Sequence, residues 1–156
     1  MDWPAFAVGE EGVRSAFTDR DVRAWKHWDG HTYRLPFRAH AVHLDARRPY
    51  TLVLTNLEDT GRGRKKGMRP GASVYMCDPT GRSIESMWEE DEVTYDSAPG
   101  GVAYDRYTTV VRSRRTGLHA VLAHAGVIVD EGRMEGNLPG RYHLQVLQGR
   151  VNPRRR

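Results

Sequence analysis

The chain has 156 residues, of which 38% are hydrophobic and 28% charged, and its formal net charge is +4. This length fits one domain, and the composition is polar for a globular protein but short of that of disordered chains. The single cysteine, Cys77, excludes an intrachain disulfide, and no apolar run approaches the roughly 18 residues that span a membrane. The N-terminus lacks the basic and apolar regions of a signal peptide.

Residues 1–30 are predicted to form an N-terminal extension that packs on the rest of the domain. The run Thr18–Asp21 resembles a capping box in which aspartate replaces glutamate, and apolar residues follow it at helical spacing. We therefore expect a short helix over residues 19–28. The segment also contains three of the four tryptophans, which we expect to plug one end of the fold, with a sugar-stacking surface as the alternative: Trp3, Trp25 and Trp28.

From residue 31 onward, apolar and polar residues alternate with the period of two that is typical of half-buried strands. Turn signals separate these stretches, and no long helical pattern interrupts them. The sequence therefore predicts an all-β sandwich or barrel of about eight short strands. The predicted strands cover residues 33–37, 40–44, 51–57, 72–77, 82–88, 106–112, 118–124, 127–129 and 141–147, and residues 78–81 form a type I turn between two of them.

One motif occurs twice, in Gly117–Ala123 and in Gly140–Val146. Each copy reads glycine, any residue, aromatic or histidine, any residue, apolar, any residue, apolar. Because successive side chains of a strand alternate between its faces, the residues two, four and six places after each glycine are predicted to share one face. The glycine itself is typical of the end of a turn.

Four features, taken in order, resemble the bacterial pre-peptidase C-terminal domain family. His43–Leu54 (HLDARRPYTLVL) is similar to the family's strand pair F-x-L-x-A-G-x-x-Y-T-L-x-L, and Val74–Ile84 (VYMCDPTGRSI) to its hairpin L-x-L-x-D-x-x-G-x-x-I/L. The acidic run Glu89–Glu92 lies where the family has an aspartate-rich loop, and the two glycine-led repeats resemble its closing strands.

This resemblance covers about residues 35–148. It implies a jelly-roll-like antiparallel β-sandwich over residues 31–148, followed by a basic tail at 149–156. The family is appended to secreted peptidases and other exported proteins. The resemblance therefore implies a non-catalytic accessory module with a protein or glycan partner, in an exported or cell-envelope setting.

A calcium site is the one cofactor site that the sequence points to. Calcium takes six to eight oxygen ligands, and clustered carboxylates in a loop can supply several of them. A solvated loop that ends a strand is the alternative interpretation. The candidate ligands are Glu89, Asp91, Glu92 and Asp96.

Cations cluster in residues 61–70 and in the tail Arg154–Arg156, whereas the rest of the chain is mildly acidic. Such clusters can contact the phosphates of a polyanion or nucleic acid through salt-sensitive bonds. No aromatic residue lies between the cations, so stacking on bases is not expected there. A solvated loop is the alternative. The candidate polyanion-binding residues are Arg62, Arg64, Lys65, Lys66 and Arg69.

No catalytic motif is present, and no catalytic residue is assigned. Cys77 is predicted at a strand end as an apolar filler. His40 and His43 are three residues apart, which on a strand places them on opposite faces, and His119 and His143 approach each other only if their strands pair. The favoured function is a binding module. A polyanion binder and a small β-barrel or sandwich enzyme using histidine and acidic residues are the alternatives.

Overall fold

The computed structural model describes residues 3–26, 32–57, 68–76, 88–90, 94–96, 106–127 and 141–153. These residues form ten strands and a single turn of 3-10 helix, and no helix among them is long and apolar enough to cross a membrane. The predicted all-β class is therefore confirmed. The strands are β1 (Gly9–Ala16), β2 (Val22–Lys26), β3 (Thr32–Leu44), β4 (Pro49–Asn56), β5 (Met68–Met76), β6 (Trp88–Glu90), β7 (Thr94–Asp96), β8 (Arg106–Ser113), β9 (Gly117–Val127) and β10 (Arg141–Gln148).

The strands form two antiparallel sheets. The larger sheet has the order β1-β10-β4-β8-β6, and β7 also pairs with β8. The smaller sheet has the order β2-β3-β9-β5. One hydrophobic cluster contains buried residues of both sheets, because alternate side chains of each central strand point to the same side. The cluster includes Val42, Leu44, Val121 and Ala123 from the smaller sheet, and Leu52, Leu54, Val111, Tyr142, Leu144 and Val146 from the larger one.

Both copies of the repeated motif bury their alternate side chains, as predicted. The three inward positions of the first copy lie on β9, and those of the second lie on β10. All six side chains are at most 3% exposed. The prediction that they share an inner face is therefore confirmed for His119, Val121, Ala123, Tyr142, Leu144 and Val146.

The predicted helix over residues 19–28 is wrong where the structure describes it. The capping contact does form, because the Thr18 backbone N–H donates to Asp21 Oδ2 at 2.7 Å. The helix nevertheless ends after one 3-10 turn, Asp19–Asp21, and Val22–Lys26 is the strand β2. β-Branched and aromatic residues favour strands, and β3 offers β2 a full register of partners, with Trp25 opposite Tyr33. Pairing along a sheet edge outweighs a local cap.

The segment predicted as an N-terminal extension supplies a strand to each sheet. β1, which the sequence did not predict, pairs with β10 through a bulge between Gly9 and Val13. Gly12 has φ of +57°, and a Cβ there would collide with the Leu144 carbonyl oxygen, so only glycine fits. Upstream of β1, Phe6 and Pro4 bond to the backbone of Ala41 as a short parallel bridge along β3.

Of the remaining strand predictions, some correspond to strands of the structure and others lie outside the described residues. Residues 33–37 and 40–44 belong to one continuous strand, β3, and the strands predicted near 51, 72, 106, 118 and 141 correspond to β4, β5, β8, β9 and β10. The turn at 78–81, most of 82–88, residues 128–129, Cys77 and the tail Arg154–Arg156 lie outside the described residues.

Candidate functional site

The predicted calcium ligands fall on two short strands at the edge of the larger sheet. Glu89 of β6 lies opposite Arg112 of β8, and Asp96 of β7 lies opposite Arg106. Those two β8 positions are six residues apart, or about 20 Å along a strand.

The other two calcium candidates, Asp91 and Glu92, lie outside the described residues. Among the residues that are described, no group of three or more histidine, cysteine, aspartate or glutamate side chains is placed to hold a metal ion. Calcium binding by Glu89, Asp91, Glu92 and Asp96 stays a prediction.

The predicted polyanion site is largely beyond what the structure describes. Arg62, Arg64, Lys65 and Lys66 all lie outside the described residues. Arg69 lies in β5, opposite Gly126 of β9. Polyanion binding by this segment likewise stays a prediction.

Two buried histidines lie side by side on the inner face of the smaller sheet. His40 of β3 is opposite Val121 of β9, and His119 of β9 is opposite Val42 of β3, so they are one diagonal step apart. Both are at most 1% exposed. His43, three residues after His40, is exposed, which confirms the predicted opposite faces.

Each buried histidine bonds to a hydroxyl of the larger sheet. His40 Nε2 lies 2.5 Å from the Tyr142 hydroxyl, and His119 Nε2 lies 2.5 Å from Ser113 Oγ. His119 and Tyr142 occupy the same position of the repeated motif, two places after its glycine. The repeat therefore places one polar link between the sheets in each of its copies. His143 belongs to β10, which does not pair with β9, and its Nε2 bonds instead to the Glu11 carbonyl at 2.7 Å.

The first link, His40–Tyr142, is sealed under the N-terminal segment. The Phe6 ring meets His40 edge-on, with 6.1 Å between centroids, and the Phe17 ring covers Tyr142 at 4.6 Å. Burial, followed by the nearby Arg38 charge, lowers the pKa of His40 from 6.5 to about 4. Burial also raises the pKa of Tyr142 to about 12. Both groups are therefore neutral at pH 7 and shielded from any ligand.

The second link, Ser113–His119, is a hydrogen-bonded relay at the end of the sheets. His119 Nδ1 donates to the Gly117 carbonyl at 2.8 Å, which leaves Nε2 as an acceptor for the Ser113 hydroxyl, whose one proton also has the Arg115 carbonyl within reach at 3.0 Å. Burial lowers the pKa of His119, which keeps the ring neutral. Ser113, His119 and the Gly117 carbonyl thus have the order of a nucleophile, its general base and the group that orients the base. Ser113 is, however, only 2% exposed, and its Oγ also accepts the Arg115 N–H at 3.2 Å.

An open cleft of about 430 Å³ lies at this end of the molecule, and we call it the arginine cleft. It is lined by Arg47, Arg112, Ser113 and Arg114. Arg47 and Arg114 are exposed and Arg112 is half-buried. Guanidinium groups present donors in a planar fork that matches the oxygens of carboxylate, phosphate and sulfate groups. The cleft is therefore suited to an anion.

Two turns form the rim of the arginine cleft, and backbone bonds hold them together. In the β3–β4 turn, the Arg47 N–H donates to the Ser113 carbonyl at 2.8 Å. Beside it, the Ala46 N–H donates to Thr116 Oγ1 in the β8–β9 turn, also at 2.8 Å. Arg47 has φ of +62°, a conformation that favours glycine. The rim is therefore fixed by bonds between the turns.

The arginine cleft was not predicted from the sequence, which drew attention to residues 61–70 and to the tail. Its signal is the pair of Arg-Arg dipeptides, one in each turn: Arg47-Arg48 and Arg114-Arg115. Each dipeptide alone is ordinary for a solvated turn. They meet because β4 pairs with β8, with Pro49 opposite Arg112.

Comparison of the chain with protein-family models, with curated proteins and with solved structures finds no match. The resemblance to the pre-peptidase C-terminal family therefore stays a prediction that rests on the sequence motifs.

Proposed function

We propose that this chain is a non-catalytic binding module, built as a jelly-roll-like β-sandwich, whose arginine cleft receives an anionic group of a protein partner. The arginine cleft carries the proposal. It combines three arginines around one recess with a rim that is held by hydrogen bonds between two turns. The sandwich assignment is supported by the two antiparallel sheets, which share one hydrophobic cluster.

A protein partner fits the lining better than a glycan does. Sugar-binding and base-binding surfaces use exposed aromatic rings for stacking. Among the residues whose side chains the structure describes, those that line the arginine cleft include no aromatic ring. Acidic side chains of a protein need only the charge and the forked donors that arginines provide.

The conformation of Arg47 gives a further argument. When the motif F-x-L-x-A-G-x-x-Y-T-L-x-L is aligned on Ala46 and Tyr50, Arg47 takes the place of the glycine. Its φ of +62° costs a residue with a side chain roughly 1–2 kcal/mol. Glycine would avoid this cost, so an arginine here is best explained by what its guanidinium does.

The test is a titration of the ¹⁵N-labelled protein with short peptides that carry one glutamate or one neutral glutamine, followed by NMR. We expect the glutamate peptide to shift amide signals of residues 45–48 and 112–117, less so as salt is raised. Arg112→Gln should remove the shifts. Arg14→Gln, which changes an exposed arginine on β1, is the control and should keep them. Failure of every anionic peptide to perturb these amides would refute the proposed function.

A hydrolase is the second candidate, because Ser113, His119 and the Gly117 carbonyl have the order of a nucleophile, its base and an orienting group. The low exposure of Ser113 argues against it. A fluorophosphonate probe tests it directly, since such probes label activated serines. Labelling that is lost in Ser113→Ala and in His119→Gln would support the hydrolase, and an unlabelled wild-type protein would exclude this mechanism.

A further inference from the structure

We infer that the anion of the arginine cleft is the phosphate monoester of a phosphorylated side chain in a protein partner. This inference rests on the proposed function and makes it specific, because it distinguishes a doubly charged tetrahedral group from the single charge of a carboxylate.

The first step is the charge of the lining. Three of the described residues that line the cleft are arginines, and arginine stays charged at any physiological pH. A carboxylate would bring one negative charge to these three. A phosphate monoester brings about 1.5 to 2 negative charges and three acceptor oxygens. The phosphate thus offers more acceptors to the donors of these described residues than a carboxylate does.

The second step is that the arginines come from different parts of the chain. Arg47 belongs to the β3–β4 turn, Arg112 to the end of β8, and Arg114 to the β8–β9 turn. A planar carboxylate offers two oxygens in one plane. A tetrahedral group offers its oxygens in several directions, so donors on separate elements can bind it together.

The third step is preorganisation of the backbone beneath the arginines. The bonds from Arg47 N–H to the Ser113 carbonyl and from Ala46 N–H to Thr116 Oγ1 join the two turns. Under them, the relay from Ser113 through His119 to the Gly117 carbonyl fixes the β8–β9 turn to the core. A site whose backbone is already ordered loses less entropy when it binds. His119 and Ser113 therefore act as positioning residues for the cleft.

The experiment uses three peptides of one sequence, differing only at a single residue: phosphotyrosine, sulfotyrosine or glutamate. Phosphotyrosine and sulfotyrosine share their ring and tetrahedral geometry but differ in charge. We expect the phosphotyrosine peptide to bind about tenfold more tightly than either of the others, measured by fluorescence anisotropy at pH 7.5. Inorganic phosphate should compete at millimolar concentration.

Two variants and one control assign the binding to the arginine cleft. Arg112→Gln and Arg47→Gly should each weaken the phosphotyrosine peptide about tenfold. Arg47→Gly relieves the positive φ and so should fold at least as well as the wild type. The control is Arg48→Gln, a neighbour in the same turn that pairs with Asp45 at 3.5 Å and does not line the cleft. It should change affinity less than twofold, in line with its lost charge alone.

The outcomes separate the two proposals. Equal affinity for all three peptides, abolished by Arg112→Gln, would overturn the phosphate inference and leave the anion-binding module intact. Absence of binding by any of them at the cleft would overturn both. Equal loss in Arg48→Gln and Arg112→Gln would mean that overall charge drives binding, which also overturns the inference. Vesicles with a phosphoinositide that bind better than the peptide would move the phosphate to a membrane and overturn the protein partner.

Discussion

The two histidine–hydroxyl links between the sheets have the same chemistry and different surroundings. His40–Tyr142 is closed off by the rings of Phe6 and Phe17. Ser113–His119 lies under an open cleft, and both nitrogens of its imidazole are bonded. The comparison indicates two roles: the sealed link stabilises the core, and the open link positions the turns of the arginine cleft.

The largest expected effect is a loss of stability in acid that depends on His40. The unfolded chain takes up the His40 proton near pH 6.5, whereas the folded protein takes it up only near pH 4. The contribution of His40 to the free energy of unfolding should therefore be constant above pH 7 and fall by about 3 kcal/mol between pH 6.5 and 4. Urea unfolding at half-unit pH intervals measures it.

Carboxylates also titrate in this range, and burial lowers the pKa of His119 and of His124 as well, so variants must isolate the His40 contribution. His40→Gln should be less stable at pH 7 but should lose clearly less stability than the wild type on going to pH 4. His43→Gln, at an exposed position on the same strand, is the control and should keep the wild-type slope. An unchanged slope in His40→Gln would show that His40 is not the group responsible.

The next prediction compares the loss of stability on removing the Tyr142 hydroxyl with the loss on removing the Ser113 hydroxyl. Tyr142→Phe removes the hydroxyl that bonds to His40 Nε2 inside the core, which should cost about 2–3 kcal/mol. Ser113→Ala leaves His119 with its bond to Gly117 and lies beside an open cleft, so it should cost about 1 kcal/mol. Both are measured by urea unfolding at pH 7.5. Equal costs would remove the distinction between a sealed and an open link.

Ser113→Ala should also affect binding, whereas Tyr142→Phe should not. Loss of the relay loosens the β8–β9 turn, which carries Arg114, without removing any arginine. We expect affinity for the phosphotyrosine peptide to fall about threefold, because disordered arginines lose more entropy on binding. Anisotropy at a temperature where both variants are fully folded measures this. If Tyr142→Phe lost the same affinity, the loss would come from reduced global stability and not from the missing relay.

The sequence predicted those parts of the fold that depend on side-chain alternation within one strand. The inner faces of β9 and β10 followed from the repeated motif, since burial obeys the two-residue period. The sequence-based prediction failed where pairing between distant segments decides whether a strand forms. β1 contains glycines and glutamates that weaken any strand pattern, and β2 follows a cap that is typical of a helix.

The arginine cleft could not be predicted for the same reason. Its two turns are some 65 residues apart in sequence and become neighbours only because β4 lies between β10 and β8. No local pattern encodes this order of strands. The conformation of Arg47 is equally hidden, since nothing in the letters Ala-Arg-Arg-Pro requires a positive φ.

The smallest expected effect concerns the negative charge at Glu89, which lies opposite Arg112 in the β6–β8 pairing. A carboxylate at this position opposes the binding of an anion at the end of β8, so Glu89→Gln should raise affinity for the phosphotyrosine peptide about two- to threefold. The gain should shrink at high salt, where exposed charges are screened. Asp96→Asn, at the position about 20 Å further along β8, is the matched control and should have less effect.

If Glu89 instead serves a calcium ion, the gain in affinity should appear when a chelator is present and reverse when calcium is added, because the bound cation would offset the carboxylate. A loss of affinity in Glu89→Gln would contradict this prediction, because removing a negative charge should favour the binding of an anion.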